Sequence, residues 1–235
     1  MSSFLSSAVY YTQNQADEIG LDKLSRAQIA EVTAPLLGYE TRRLLLPHVA
    51  HIRQVIARSD AAILVNELAG EQKAGALLKE NGKPPTSARR YVELLIENIR
   101  REVAAPVYSL DGAFLDDHLD PHVASFFLAE LHQNDHVRAV HAKVNSPCEF
   151  VEIDDVDTLN YFWTSREAWD VSCAVVILPK GGNGKAYHLG EYLLASTEVT
   201  YEKLDRAVVS ITPSFSPARA SANRYHAGMG GERIL

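Results

Sequence analysis

The segment VNSPCEFVEI, residues 144–153, decides the fold class, because the apolar period of the chain changes across Pro147. Before it, apolar residues recur every three or four positions, the spacing of one buried helical stripe. After it, CEFVEI alternates, VSCAVVIL (171–178) is a continuous β-branched run, and RAVVSITP (206–213) has the same character. These are strand signatures. The expected fold is therefore α+β: a helical N-terminal part over about 25–144, then a small antiparallel β-rich C-terminal part.

Working back from Pro147, Asp120-Pro121 is a helix start, since Asp can cap and Pro at the first helical position loses no needed N–H. That helix should run to about Val144. The clearest helix spans Ser87 to Val103, where Val92, Leu95, Ile96, Ile99 and Val103 share one face. NGKPP (81–85) breaks the chain before it. Earlier still, Asp60 reads as the cap of a short helix through Leu68, and Val49, Ile52, Val55 and Ile56 line one face of another. Ser25 with Gln28 fits a capping box, and Gly38 fits a stop. Residues 1–22 are polar and without helical periodicity, and read as an extended arm.

Forward of Pro147, the strand at 171–178 ends in KGGNGK (180–185). A phosphate loop needs Gly, four residues, then Gly-Lys-Ser/Thr, and Ala186 stands where the hydroxyl should be. Asn183-Gly184 instead favours a tight hairpin turn. The last 22 residues, 214–235, lose periodicity and read as a second arm, with Phe215, Tyr225, Ile234 and Leu235 as possible anchors on a neighbouring subunit. The domain organisation expected is 1–22 arm, 23–146 helical, 147–213 β-rich and 214–235 arm.

The net charge of −7 is unevenly spread. Residues 1–110 carry 13 Lys/Arg against 12 Asp/Glu, residues 111–170 carry 3 against 13, and residues 171–235 carry 7 against 5. Acidity is thus confined to one central segment, while the flanks stay open to anionic partners. No apolar run approaches the roughly 20 residues of a membrane span, and no signal peptide is read at the N-terminus. With Cys148 and Cys173 the only cysteines, free buried thiols are expected. The expected setting is the cytoplasm, or a host cell or virion.

Three groups of residues are candidates for chemistry. Arg42-Arg43, Arg89-Arg90 and Arg100-Arg101 could track a nucleic-acid backbone, since guanidinium groups grip phosphates bidentately. Five of the nine histidines lie between His118 and His141. Within this stretch Asp117, His118, His122, His132 and His136 could hold zinc or iron. On a helical wheel, however, His132 and His136 point away from the core stripe, and Glu130 and Asn134 form a pair within it. Gly181, Gly182, Asn183, Gly184 and Lys185 could bind an anion. The arms, the arginine pairs and the lack of any catalytic signature point to a self-assembling structural protein. It would be coat- or nucleocapsid-like, a homo-oligomer without cofactor, with nucleic acid as a partner and no membrane contact. The alternative is a soluble enzyme that uses the His/acid metal cluster or the glycine loop.

Overall fold

The stripe on Val92, Leu95, Ile96 and Ile99 is the centre of the helical part. In the computed structural model, which describes residues 4–109, 111–142, 148–179 and 191–224, all four side chains are buried on α6 (Ala88–Glu102). Helices α1 (Phe4–Glu18), α2 (Arg26–Leu36) and α5 (Glu67–Glu80) pack around it. The capping box at Ser25 and Gln28 opens α2, and Gly38 closes the following turn at φ 75°. A Cβ added at Gly38 would also lie 2.9 Å from the Trp163 ring. Two constraints, backbone and space, thus require glycine there.

Helix α1 replaces the extended arm expected for the N-terminus. Its buried stripe is Phe4, Leu5, Ala8, Val9, Thr12 and Ala16, and past Val9 only the small or polar Thr12 and Ala16 continue it, which gives little hydrophobic periodicity. A tertiary hydrogen-bond network completes the contact. Asn98, fully buried on α6, donates to Thr12 Oγ1 at 3.1 Å, to Gln15 Oε1 at 2.7 Å and to Leu94 O at 2.8 Å. Leaving such an amide unpaired would cost about 1–3 kcal/mol, so α1 and α6 specify each other.

The second departure lies at 61–64, where a helix capped by Asp60 was expected. Ala61–Leu64 is a fully buried strand, β1. It pairs in parallel with β2 (Val107–Tyr108) and antiparallel with β6 (Val208–Ser210). A short apolar run fits either a buried strand or a buried helix, and its β partners, at 107–108 and 208–210, both lie far along the chain. Asn66, with its side chain accepting from Ala69 N at 3.0 Å, then caps α5. Between α2 and β1 lie α3 (Arg42–Leu45), a 3-10 turn at Leu46–His48 and α4 (Val49–Val55). Ile52 and Val55 are buried, as the sequence face predicts.

Beyond α7 (Asp111–His118), the helix expected to run from Asp120 to about Val144 is broken at Asn134. It forms α8 (Asp120–Gln133) and α9 (Asp135–His141). The Asn134 side chain accepts from His136 N at 3.0 Å and Val137 N at 3.2 Å, capping α9. The sheet of the C-terminal part runs β3 (Cys148–Thr158), β4 (Ala168–Pro179), β5 (Glu191–Glu202) and β7 (Ser214–Phe215), with β8 (Arg219–Arg224) also on β5. Strand β3 is antiparallel to β4, and β7 and β8 are antiparallel to β5. Residues 214–224, expected to begin an arm, therefore supply two strands. Side chains on β4 alternate between buried (Val171, Cys173, Val175, Ile177) and half-buried, with α8 on β3 and α9 on β8.

The compact units are interleaved in the chain. Of the described residues, those up to 115 with 162–168 and 202–212 make the first, and those within 116–161, within 169–201 and from 213 onward make the second. Among the described residues no helix is long and apolar enough to cross a membrane.

Candidate interaction surfaces

In the first unit a buried carboxylate ties Tyr39, just ahead of α3, to the turn at 204–208. Asp205, whose side chain is 4% exposed, accepts from Tyr39 Oη at 2.7 Å and from Arg206 N at 2.7 Å. Burial and this bond to Asp205 push the Tyr39 hydroxyl well above the usual phenol range. His48 Nδ1 and His51 Nε2 lie 3.9 and 4.0 Å from the other oxygen, too far for hydrogen bonds. His51 Nε2 donates to Leu204 O at 3.0 Å. Arg206 lies over the Tyr39 ring and donates to Gly38 O at 3.1 Å. One side of α3–α4 is thus clasped to the turn at 204–208.

The other side is open and basic. Residues 41–58 contain four arginines and no acid. Arg58 pairs with Asp60 at 2.6 Å. The side chains of Arg42, Arg43 and Arg53 have neither an ion pair nor a hydrogen bond among the described residues. Between them Leu44 and Leu46 are 49% and 56% exposed. Unpaired cations beside exposed leucines distinguish this surface from the other arginine sites.

Those other sites are occupied from within the chain. Arg89 Nε donates to Glu93 Oε1 and an Arg90 Nη to Glu93 Oε2, both at 3.0 Å. Arg90 also lies 3.8 Å from Glu97. Arg100 donates twice to Val107 O, at 3.3 and 3.2 Å, and Arg101 donates to Asn98 Oδ1 at 3.4 Å. Of the three arginine pairs, only Arg42-Arg43 keeps both guanidinium groups without a protein partner among the described residues.

A lysine that sequence reasoning passed over is the most buried cation among the described residues. Lys203, 8% exposed, donates to Phe162 O at 2.6 Å and Ser165 O at 3.1 Å, and its ammonium lies 3.9 Å from the Phe162 ring centroid. Burial lowers its pKa to about 8. Its hydrogen-bond partners are carbonyls, so it acts as a clasp on residues 162–165. Nothing in the local sequence YEKLDR announces this role.

The histidine group does not converge. Asp117 and His118 stand on α7, His122 and His132 on α8, and His136 on α9. His118 is half-buried and burial lowers its pKa; His122, His132 and His136 are exposed. The break at Asn134 puts His132 and His136, four residues apart and expected on one helix, on separate helices. His136 Nε2 instead donates to Ala220 O at 3.1 Å. Among the described residues no three His, Cys, Asp or Glu groups are placed to hold a metal ion. The expected Glu130–Asn134 pair does form, at 2.6 Å. Both residues also bind the backbone of Ala218, through its N–H and its carbonyl. Gly181, Gly182, Asn183, Gly184 and Lys185 lie outside the described residues.

In the second unit the acidity of the central segment concentrates on β3. Opposite residues of an antiparallel pair point to the same face. Val151, Ile153 and Val156 oppose the buried Ile177, Val175 and Cys173, whereas Glu152, Asp155 and Asp157 oppose Val176, Ala174 and Ser172. Strict alternation would place Asp155 and Asp157 on the face of Ile153. A bulge between Ile153 and Asp155 shifts the phase, which keeps the valines inside and the carboxylates outside. Glu152, Asp154, Asp155 and Asp157 are all exposed. They too have no ion pair or hydrogen bond partner among the described residues.

Comparison with family models, with curated proteins and with solved structures returns no match for this chain.

Proposed function

We propose that the protein is a self-associating structural protein whose contact surface in the first unit is the outer side of α3–α4. The observation that carries the reading is the grouping of Arg42, Arg43 and Arg53, without partners among the described residues, around the exposed Leu44 and Leu46. Unpaired guanidinium groups beside exposed apolar side chains are what a protein interface enriched in arginine uses. A chain whose 111–170 segment is strongly acidic offers a second copy as the complementary partner. This differs from association by exchanged arms, since residues 4–18 and 214–224 are part of the folded units. Nucleic acid enters the reading through Arg42 and Arg43 alone. A cytoplasmic or host-cell setting goes with the buried free thiol of Cys173, which burial holds at a pKa of about 11 and so unreactive.

Native mass spectrometry of the untagged protein, over a range of concentrations, tests this. Concentration-dependent oligomers of the bare chain are expected, weakening as salt shortens the screening length from about 30 Å at 0.01 M to about 3 Å at 1 M. A monomer at every concentration and at low salt would overturn the reading. A species carrying heterogeneous nucleic-acid mass would add a coat-like role.

A further inference from the structure

We infer that the surface on which α3–α4 docks is the acidic outer face of β3 in a second copy, so that copies associate head to tail. The inference rests on the self-association reading above and names its partner surface. Both surfaces are exposed, of opposite charge and without charge partners among the described residues. Their lengths match. Arg42 to Arg53 spans at most about 18 Å, at a rise of 1.5 Å per residue in α3 and α4 and about 2 Å in the 3-10 turn between them. Glu152 to Asp157 spans about 16 Å at 3.3 Å per strand residue. The apolar components match as well, since Val176 and Ala174 lie beside the carboxylate row and Leu44 and Leu46 lie among the arginines.

The sheet has been protected differently at its two sides. At β8, side chains of Asn134 and His136 take the carbonyls of Ala218 and Ala220, and Glu130 takes the N–H of Ala218. Those backbone groups are therefore not offered to another strand. At β3, the terminal strand on the opposite side, protection comes from charge and a bulge. Two β3 strands brought edge to edge would oppose carboxylate to carboxylate, which native edges use to prevent pairing. A cationic surface meets no such repulsion. Like-with-like contact of either surface is disfavoured, and the contact between unlike surfaces is heterologous. Such a contact closes into a ring or propagates as a filament according to its rotation.

Charge exchange tests the assignment. One variant carries Arg42→Glu, Arg43→Glu and Arg53→Glu; a second carries Glu152→Lys, Asp155→Lys and Asp157→Lys. All six positions are solvent-facing or half-exposed, and circular dichroism with thermal unfolding checks that both variants fold. Each variant alone should lose self-association, its Kd rising more than about tenfold, because both of its surfaces then carry one sign. Mixed in equal amounts they should associate again, since each supplies the surface the other lacks. A β3 variant that still associates alone would overturn this partner and leave self-association standing. Two folded, monomeric variants that fail to associate on mixing would overturn it too. A wild-type chain that never associates would remove the reading beneath both.

Discussion

In the first unit Glu93 holds Arg89 and Arg90, Val107 O holds Arg100 and Asp205 holds Tyr39, whereas in the second Glu152, Asp155 and Asp157 stand in one row with no ion-pair partner among the described residues. The helices of the first unit bring oppositely charged residues within reach at spacings of three and four. The strand of the second puts its acids two or three apart on one face, where each meets an alanine, serine or valine across the ladder. Helical spacing therefore pairs charges, on α6 of the first unit and between Arg138 and Asp135 on α9 of the second, whereas strand β3 displays them. The exception within the first unit is the α3–α4 surface, too short in each helix to contain its own acidic partners.

The largest effect expected from this comparison is on the cores that keep the units distinct. Phe127, fully buried on α8, belongs to the second unit. Phe127→Ala should cost about 3–5 kcal/mol in lost burial and a residual cavity. Hydrogen exchange should accelerate across β3 to β5 before it does across α5 and α6. Equal acceleration in both sets would show that the units open together and would dissolve the comparison.

Lys203 breaks the pattern from the other direction, as a buried cation of the first unit held by neutral carbonyls. Its folded pKa of about 8 lies below the ordinary 10.5. The unfolded chain thus binds more proton between those values. The penalty of the buried ammonium is complete below pH 8 and is relieved as pH rises towards 10.5, by about 3 kcal/mol in all. Lys203→Met should flatten that rise in a series of chemical denaturation curves. At pH 7 its net effect is smaller, because it removes the desolvated charge and also leaves the Phe162 and Ser165 carbonyls without their donor. An undiminished slope in the variant would assign the titration elsewhere.

What the sequence disclosed follows the range of the interactions. Helix α6, the Ser25–Gln28 capping box and the Glu130–Asn134 pair each close within four residues, and each is readable from spacing. The change of period at Pro147 separated helices from strands for the same reason. Helix α1 was hidden because Ala8, Thr12 and Ala16 carry little hydrophobic signal, and Asn98, 86 residues from Thr12, completes the contact. Strand β1 was hidden because its partner at 208–210 lies far along the chain. For the candidate surfaces, Arg42 and Arg43 were legible as a charged pair. Their distinction from Arg89, Arg90, Arg100 and Arg101 was not, since it depends on which acids and carbonyls the fold brings near. The acidic segment was legible as a composition, and only the bulge at Ile153 and Asp155 arranged it into a row.

The smallest effect discriminates by its sign. Glu93→Gln removes an i,i+4 and an i,i+3 ion pair on α6 and should lower stability by about 0.2–0.5 kcal/mol per pair. The hydrogen bonds from Arg90 and Arg89 hold the Glu93 carboxyl below its ordinary pKa. That contribution is present above the ordinary carboxylate range and is lost as pH falls through the folded value. Asp157→Asn on β3 removes a charge that faces Ser172 across the ladder and has Asp155 two residues away on the same face, so by like-charge repulsion it should raise stability by a similar few tenths. Denaturation of both variants against the wild type at low salt reads the two signs, and about 1 M salt should shrink both towards zero. If Asp157→Asn lowers stability as Glu93→Gln does, the β3 carboxylates have an attractive partner within the chain. They would then not be free to meet the arginines of another copy. If the signs differ, the same charges that burden the isolated sheet are available to an interface, and a modest cost in folding is what keeps β3 open for a cationic surface.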